Sequence, residues 1–161
     1  MLFVCTGNTC RSPLAEAVLR REVARSAGSD ATHYEVASAG AFASEGSPAS
    51  AGSREVAAEK GLDLEGFRSR RLTPEEVDAA DLILVMEPGH RSAVLGLNPQ
   101  ADLKTRLLGE LAGEQGWDGA VPDPFGGSLD SYRQTYRRIE ALVREGLDRI
   151  HELAQGKRAE H

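Results

Sequence analysis

A cysteine and an arginine with five residues between them stand near the start of the chain, in residues 4–13 (VCTGNTCRSP). The apolar run before Cys5 is typical of a strand, and Ser12-Pro13 is typical of a helix start, with a capping hydroxyl and a proline in the first turn. Backbone N–H groups of a glycine-containing loop that enters a helix N-terminus converge on one point and attract an anion. The guanidinium of Arg11 adds a planar fork of donors that fits two phosphate oxygens. The stretch therefore predicts a phosphate-binding loop.

Cys5 is placed in this loop to act as a nucleophile. A thiol beside a helix N-terminus and a guanidinium ionises more readily, because both stabilise the thiolate. Ser12 is placed to donate a hydrogen bond to the sulfur, which stabilises it as an anion and later as a leaving group. The alternative is a buried cysteine at a strand end with a surface arginine nearby. Glycine and asparagine inside the loop, and Ser-Pro after the arginine, favour the catalytic interpretation.

Departure of a leaving group from phosphorus needs a proton, and the loop contains no acid that can supply it. Asp123 is the candidate, because Pro124 stiffens the backbone after it and Gly126-Gly127 lets the segment lie close over the site. An ordinary turn aspartate before proline is the alternative. The presence of the Cys5 loop favours the catalytic role.

These stretches resemble a known family. Residues 4–16 (VCTGNTCRSPLAE) are similar to the signature loop of the low-molecular-weight protein tyrosine phosphatases, and residues 38–40 (SAG) and 123–128 (DPFGGS) are similar to its later landmarks. The resemblance covers nearly the whole chain. It implies that Cys5 attacks phosphorus, that Arg11 stabilises the phosphoryl oxygens and that the acid in residues 123–128 shuttles protons. The phosphate- and substrate-binding residues that it implies are Thr6, Gly7, Asn8, Thr9, Cys10, Ser12, Phe42 and Phe125.

Within this family, Thr9 and Phe125 look most like the bacterial branch that acts on phosphoarginine in proteins. The tyrosine-specific relatives carry a larger apolar side chain at the position of Thr9, whereas threonine leaves room and a hydroxyl near the phosphate and its nitrogen. The leaving group of phosphoarginine is a guanidine, so Asp123 can also pair with it. Phe125 and Phe42 are then expected to form walls of the cleft. Space filling is the alternative for Thr9, and core packing is the alternative for each phenylalanine.

The resemblance also implies supporting roles. Asn8 is expected in a strained or left-handed conformation, held by Ser38 from the neighbouring strand end. Cys10 is either a small buried filler or the partner of Cys5 in a reversible disulfide that prevents irreversible oxidation, and the resemblance favours the disulfide. The histidines have no metal-ligand spacing and are interpreted as surface or packing residues, so no metal or other cofactor is expected. They are His33, His90, His151 and His161.

Length and composition fit a soluble enzyme. A chain of 161 residues suits one domain spanning residues 1–161, and 40% hydrophobic with 27% charged residues is ordinary for a globular protein. The net charge of −6 argues against nucleic acid as a partner. No run approaches the ~20 apolar residues of a membrane span, and the start lacks the features of a signal peptide, so we expect a cytoplasmic protein without a membrane partner. Its expected partners are phosphorylated proteins, with inorganic phosphate as product.

Strand-like and helix-like segments alternate along the chain. Strands are expected near residues 2–4, 34–38, 82–86 and 104–108, and helices at 13–27, 53–60, from 74, at 88–97 and at 129–154, with a frayed tail after about 154. This alternation predicts a doubly wound α/β domain with helices on both faces and a four-stranded parallel sheet in the order 2-1-3-4. Ligands bind at the carboxyl ends of strands beside such a switch in strand order, where the Cys5 loop lies.

Three alternatives to a phosphoarginine phosphatase remain at this point. The first keeps the chemistry and changes the substrate to phosphotyrosine. The second is an arsenate reductase, which passes its oxidation to further cysteines, but no cysteine follows Cys10. The third is a non-catalytic anion-binding module, which loss of Arg11 or Asp123 would have favoured, yet both residues are present.

Overall fold

A computed structural model describes the backbone of residues 1–159 and the side chains of residues 1–153. Four parallel strands form one sheet in the order β2-β1-β3-β4, which confirms the predicted topology. The strands are β1 (Leu2–Cys5), β2 (Ala37–Gly40), β3 (Ile83–Val85) and β4 (Thr105–Leu107). The two apolar strands are adjacent and central, because each has to bury both of its faces.

The helices cover both faces of this sheet. They are α1 (Arg11–Ala27), α2 (Ala51–Glu59), α3 (Pro74–Ala79), α4 (Pro88–Leu97) and α5 (Leu129–Ala159), and 3₁₀ turns occupy Gly28–His33, Pro99–Lys104, Leu108–Ala112 and Gly116–Gly119. Alternate residues of β1 enter two separate cores: Phe3 packs with α1, α2 and α5, and Val4 packs with α3 and α4. Within residues 1–159, none of these helices combines the length and apolar composition of a bilayer span.

Two boundaries differ from the sequence prediction by more than two residues. The second strand starts at Ala37 instead of residue 34, because Ala37 pairs with Leu2 and the residues before it lie beyond the start of β1. The last helix continues to Ala159, five residues beyond the predicted end at about 154, and fraying of this tail stays a prediction. Four of residues 155–159 are Gln, Lys, Arg and Ala, which have high helix propensity, and the fifth, Gly156, has low propensity.

The carboxyl ends of β1, β2 and β3 meet at one edge of the sheet, where Cys5 ends β1 opposite Gly40. A Cβ atom at Gly40 would lie 2.7 Å from the carbonyl oxygen of Thr6 and 2.9 Å from the backbone nitrogen of Asn8. Only glycine therefore allows β2 to end directly beside the loop that follows Cys5. This edge contains the candidate active site.

Candidate active site

Asn8 holds the loop between β1 and α1 in shape. It is fully buried and has a φ of 54°, in the left-handed region that asparagine tolerates. Its Nδ2 donates to Ser12 Oγ at 2.8 Å and to Ser38 Oγ at 3.0 Å, and its Oδ1 accepts from the backbone N–H of Arg70 at 2.8 Å. One carboxamide therefore joins the loop to α1, to β2 and to the segment before α3. Ser38 in turn donates to Glu16 at 2.6 Å.

The Cys5 sulfur lies 2.9 Å from Ser12 Oγ, and both residues are buried. Ser12 Oγ also accepts a hydrogen bond from Asn8, and its own proton can be donated to a thiolate at Cys5. Ser12 is not the capping residue that the sequence predicted: the helix begins at Arg11, its N-cap is Cys10, and no side chain caps it. The serine hydroxyl is engaged with the sulfur instead. The N–H groups at a helix start have no partner within the helix, so those of α1 suit an anion.

Arg11 is the most buried charged residue of the site, with 1% of its surface exposed. Its Nη1 pairs with the carboxylate of Glu87 and donates to the carbonyl oxygen of Val121 at 3.0 Å. Its Nη2 donates to Thr6 Oγ1 at 3.4 Å and lies 3.6 Å from Asp123 Oδ2. A buried charge is tolerated only where it is paired and hydrogen-bonded, and these contacts meet that condition.

The structure brings Asp123 to the loop as the sequence predicted. Its side chain is 46% exposed, so it can reach both Arg11 and a bound substrate. Its Oδ1 accepts from the backbone N–H of Phe125 at 3.0 Å, which fixes the carboxylate at the turn. Val121 donates its backbone N–H to the carbonyl oxygen of Met86 at 2.8 Å and thereby attaches this segment to the end of β3.

Glu87 and His90 are functional-site residues that sequence reasoning missed. His90 was expected at the surface or in packing, yet it is buried and its Nε2 lies 2.9 Å from Thr6 Oγ1. Its Nδ1 accepts from the backbone N–H of Glu87 at 3.2 Å, so Nε2 carries the proton and donates to Thr6. Burial, and then the charge of Arg11, lower the pKa of His90 to about 4. The available signal was their position, since both residues follow the carboxyl end of β3.

His33 and His151 lie away from the site. His33 is exposed, and His151 contacts Tyr34 at 2.6 Å and Ser26 at 3.0 Å. His161 lies outside the described residues. Across residues 1–159, no three His, Cys, Asp or Glu side chains are grouped so that they could hold a metal ion.

Cys10 is the last residue of the loop before α1, and its side chain is buried. Its buried thiol donates to Ser50 Oγ at 3.4 Å and lies 3.7 Å from the hydroxyl of Tyr132. Burial raises the pKa of Tyr132. Both cysteines are free thiols, and the disulfide with Cys5 that the resemblance implies stays a prediction. The hydroxyl oxygen of Thr9 lies 3.8 Å from the Cys10 sulfur. The backbone carbonyl oxygen of Thr9 accepts a hydrogen bond from the backbone N–H of Ser50 at 2.9 Å.

The two candidate wall residues are not core residues, because Phe42 is 73% exposed and Phe125 is 78% exposed. Phe42 donates its backbone N–H to the carbonyl oxygen of Thr6 at 2.9 Å, which places it directly beside the loop. Phe125 donates its backbone N–H to the side-chain carboxylate of Asp123. At Gly7, a Cβ atom would meet only Thr9 Oγ1, at 3.8 Å. The loop is therefore flanked by aromatic side chains that a substrate can reach.

A buried thiol, a paired guanidinium and a carboxylate around one anion-binding loop are the parts of a cysteine-dependent phosphatase. The family model described as low molecular weight phosphotyrosine protein phosphatase matches residues 1–156. The chain belongs to this family. The resemblance found in residues 4–16 is thereby confirmed, and this phosphatase is a cysteine-dependent enzyme like its relatives.

Some relatives of the phosphatase are named protein-arginine phosphatases, and others are named protein-tyrosine phosphatases. The protein-arginine-phosphatase of Geobacillus stearothermophilus is 40% identical over 155 residues, which cover 96% of this chain and 95% of the relative. The low molecular weight protein-tyrosine-phosphatase Etp of Escherichia coli K12 is 35% identical over 150 residues, which cover 93% of each. A solved structure of YwlE arginine phosphatase, a cysteine-to-serine mutant with a phosphorylated active-site serine, has a TM-score of 0.82 at 38% identity and covers 93% of this chain and 94% of that chain.

Glu87→Gln tests whether the buried pair holds Arg11. We expect kcat/KM for p-nitrophenyl phosphate to fall about 10- to 100-fold and the free energy of unfolding to fall by about 1–3 kcal/mol, because a buried guanidinium loses its counter-charge. Initial rates and urea unfolding measure both. The control is Glu152→Gln, which removes an exposed pair with Arg149 and should change neither quantity. Wild-type rates and stability in Glu87→Gln would contradict this role.

His90 makes folding sensitive to acid. Its folded pKa of about 4 lies below the ordinary 6.5, so the unfolded chain takes up a proton as the pH falls below 6.5, whereas the folded protein does not until about 4. The contribution of neutral His90 to the free energy of unfolding is therefore fully present above pH 6.5. It is lost progressively down to about pH 4, by no more than about 3 kcal/mol. In His90→Gln we expect a shallower dependence across this window, measured by urea unfolding at a series of pH values. The exposed His33, changed to Gln, should leave the dependence unaltered, and an equal slope in His90→Gln would show that His90 is not held neutral.

Proposed function

We propose that this phosphatase hydrolyses phosphoarginine in proteins through a phosphorylated Cys5. In the first step, the Cys5 thiolate forms a bond to phosphorus while the bond from phosphorus to the guanidine nitrogen breaks, and Asp123 donates a proton to that nitrogen. Arg11 and the N–H groups of residues 6–10 stabilise the equatorial oxygens. The Ser12 hydroxyl stabilises the sulfur before the attack.

In the second step, water attacks the phosphorus and Asp123, now a carboxylate, takes the proton of this water. The sulfur–phosphorus bond breaks, and inorganic phosphate and the thiolate are released. Ser12 again donates to the sulfur, now as the leaving group. Asp123 therefore acts first as an acid and then as a base, and no cofactor enters either step.

The observation that carries the substrate assignment is the contact between the Asp123 carboxylate and the guanidinium of Arg11, at 3.6 Å. A carboxylate that already pairs with a guanidinium beside the loop, and is 46% exposed, is suited to pair with the guanidinium of a substrate arginine. Thr9 supports the same assignment, because its small polar side chain leaves space beside the phosphoryl group. The similarity to protein-arginine-phosphatase at 40% identity adds to this support.

Phosphotyrosine in proteins is the second candidate substrate. The exposed side chains of Phe42 and Phe125 favour it, because two phenylalanines beside the loop can pack against a phenyl ring. The same side chains can also stack on a guanidinium, so they do not exclude phosphoarginine. The choice between the two substrates therefore depends on Thr9 and Asp123.

We also propose a cytoplasmic enzyme whose partners are phosphorylated proteins rather than nucleic acids or membranes. The net charge of −6 disfavours nucleic acid, and the proposed nucleophile needs a reducing environment to stay a thiolate. Cys10 is proposed as the partner of Cys5 in a reversible disulfide under oxidation, which would prevent irreversible oxidation of the nucleophile.

Rates on matched phosphoarginine and phosphotyrosine peptides test the substrate assignment. We expect the wild-type enzyme to prefer phosphoarginine, and Thr9→Ile to shift the ratio of kcat/KM values toward phosphotyrosine by about tenfold or more, because the larger apolar side chain fills the space beside the substrate nitrogen. Thr9→Val is the matched control, since it removes the hydroxyl and keeps the volume. Cys5→Ser should lose turnover of both peptides.

A preference of the wild-type enzyme for phosphotyrosine would overturn the phosphoarginine assignment. An unchanged ratio in both Thr9 variants would remove Thr9 from the argument. Turnover retained by Cys5→Ser would overturn the mechanism itself.

A further inference from the structure

Residues 118–122, which lead to Asp123, are held by side chains of helix α5. These side chains donate hydrogen bonds to main-chain carbonyl oxygens of residues 118–122. Arg138 Nη2 donates to the carbonyl oxygen of Asp118 at 2.6 Å and to that of Ala120 at 3.5 Å. One turn earlier in α5, Thr135 Oγ1 donates to the carbonyl oxygen of Pro122 at 3.3 Å. The carbonyl oxygens of Asp118, at the end of the 3₁₀ turn Gly116–Gly119, and of Ala120 and Pro122 after it therefore all face α5.

The other side of this segment faces the active site. The N–H of Val121 donates to Met86 at the end of β3, and its carbonyl oxygen accepts from Arg11. Close packing at the start of the segment leaves no freedom there, because a Cβ atom at Gly109 would lie 2.3 Å from the Cα atom of Gly119. The segment is thus fixed between α5 and the phosphate-binding loop. Asp123 is the next residue after it.

Arg138 is itself held in place by an acidic partner. Both of its terminal nitrogens contact the two carboxylate oxygens of Glu114, which lies at the beginning of the same loop. This hydrogen bonding lowers the pKa of Glu114 and raises that of Arg138. A planar guanidinium can hold a carboxylate and main-chain oxygens at the same time, which a lysine ammonium cannot do in the same geometry.

We propose that Arg138 is a positioning residue for Asp123, which places the proton donor against the leaving group from a helix remote from the chemistry. The proposal rests on the proposed role of Asp123 as the general acid. Its consequence is specific: loss of Arg138 harms the step that needs a proton on the leaving group, and spares attack by Cys5 and binding of the phosphoryl group by Arg11.

The experiment compares kcat/KM for aryl phosphates whose leaving groups differ in basicity, because kcat/KM reports the phosphoryl transfer to Cys5. For Arg138→Gln we expect a fall of about tenfold or more on phenyl phosphate, whose leaving group needs a proton. On 2,4-dinitrophenyl phosphate, whose leaving group departs as an anion, the expected fall is less than about threefold. A merely structural role for Arg138 would lower both rates equally.

Arg133→Gln is the matched control. Arg133 lies on the same helix and also binds a carboxylate bidentately, that of Glu59, but it does not contact residues 118–122. We expect its rates on both substrates to equal those of the wild type. Arg138→Lys keeps a positive charge beside Glu114 and should give an intermediate effect on phenyl phosphate, which also provides the test if Arg138→Gln does not fold.

Asp123→Asn separates failure of this proposal from failure of the proposed function. If Asp123→Asn shows no selective loss on phenyl phosphate, the general acid is wrongly assigned. If Asp123→Asn shows that loss and Arg138→Gln does not, only the positioning role is overturned. In the Asp123→Asn background, Arg138→Gln should add no further selective loss, because the two side chains act through one proton transfer.

Discussion

The site depends on one buried guanidinium. Removing a charge from water costs several kcal/mol unless partners replace its hydration, so the burial of Arg11 requires both a counter-charge and neutral acceptors. Glu87 at the end of β3 supplies the counter-charge, and the carbonyl oxygen of Val121 supplies an acceptor. The group that is proposed to bind phosphate therefore also joins the loop after β1 to the end of β3 and to the segment that carries the proposed proton donor.

This arrangement couples the two halves of the chemistry. Arg11 contacts Asp123 and is proposed to bind the phosphoryl oxygens through the same guanidinium donors. One side chain therefore links the phosphate-binding loop to the proposed proton donor. Ser12 links two residues in a similar way: it accepts a hydrogen bond from Asn8 and lies 2.9 Å from the Cys5 sulfur, so its proton can be donated to a thiolate there.

The parts of this site that could be predicted from sequence are the residues adjacent in the chain, together with Asp123 and Ser38, which the family resemblance indicated. The spacing of Cys5 and Arg11 and the glycine between them predicted the loop, and the apolar run at residues 82–86 predicted the central strand. Glu87 and His90 were missed because they reach the loop only through the pairing of β3 with β1. The start of β2 was misplaced for the same reason, since it depends on where β1 begins and not on local residue type.

The central claim is that Cys5 accepts the phosphoryl group while Arg11 and the loop hold its oxygens. The most direct measurement is rapid acid quench of the Asp123→Asn enzyme mixed with a phosphoarginine protein, followed by intact-protein and peptide mass spectrometry. The account predicts one phosphoryl group per chain, on the Cys5 side chain, and none when Cys5 is replaced by alanine. Phosphorylation of His90 or Cys10 instead, or turnover without any covalent adduct on the chain, would contradict it.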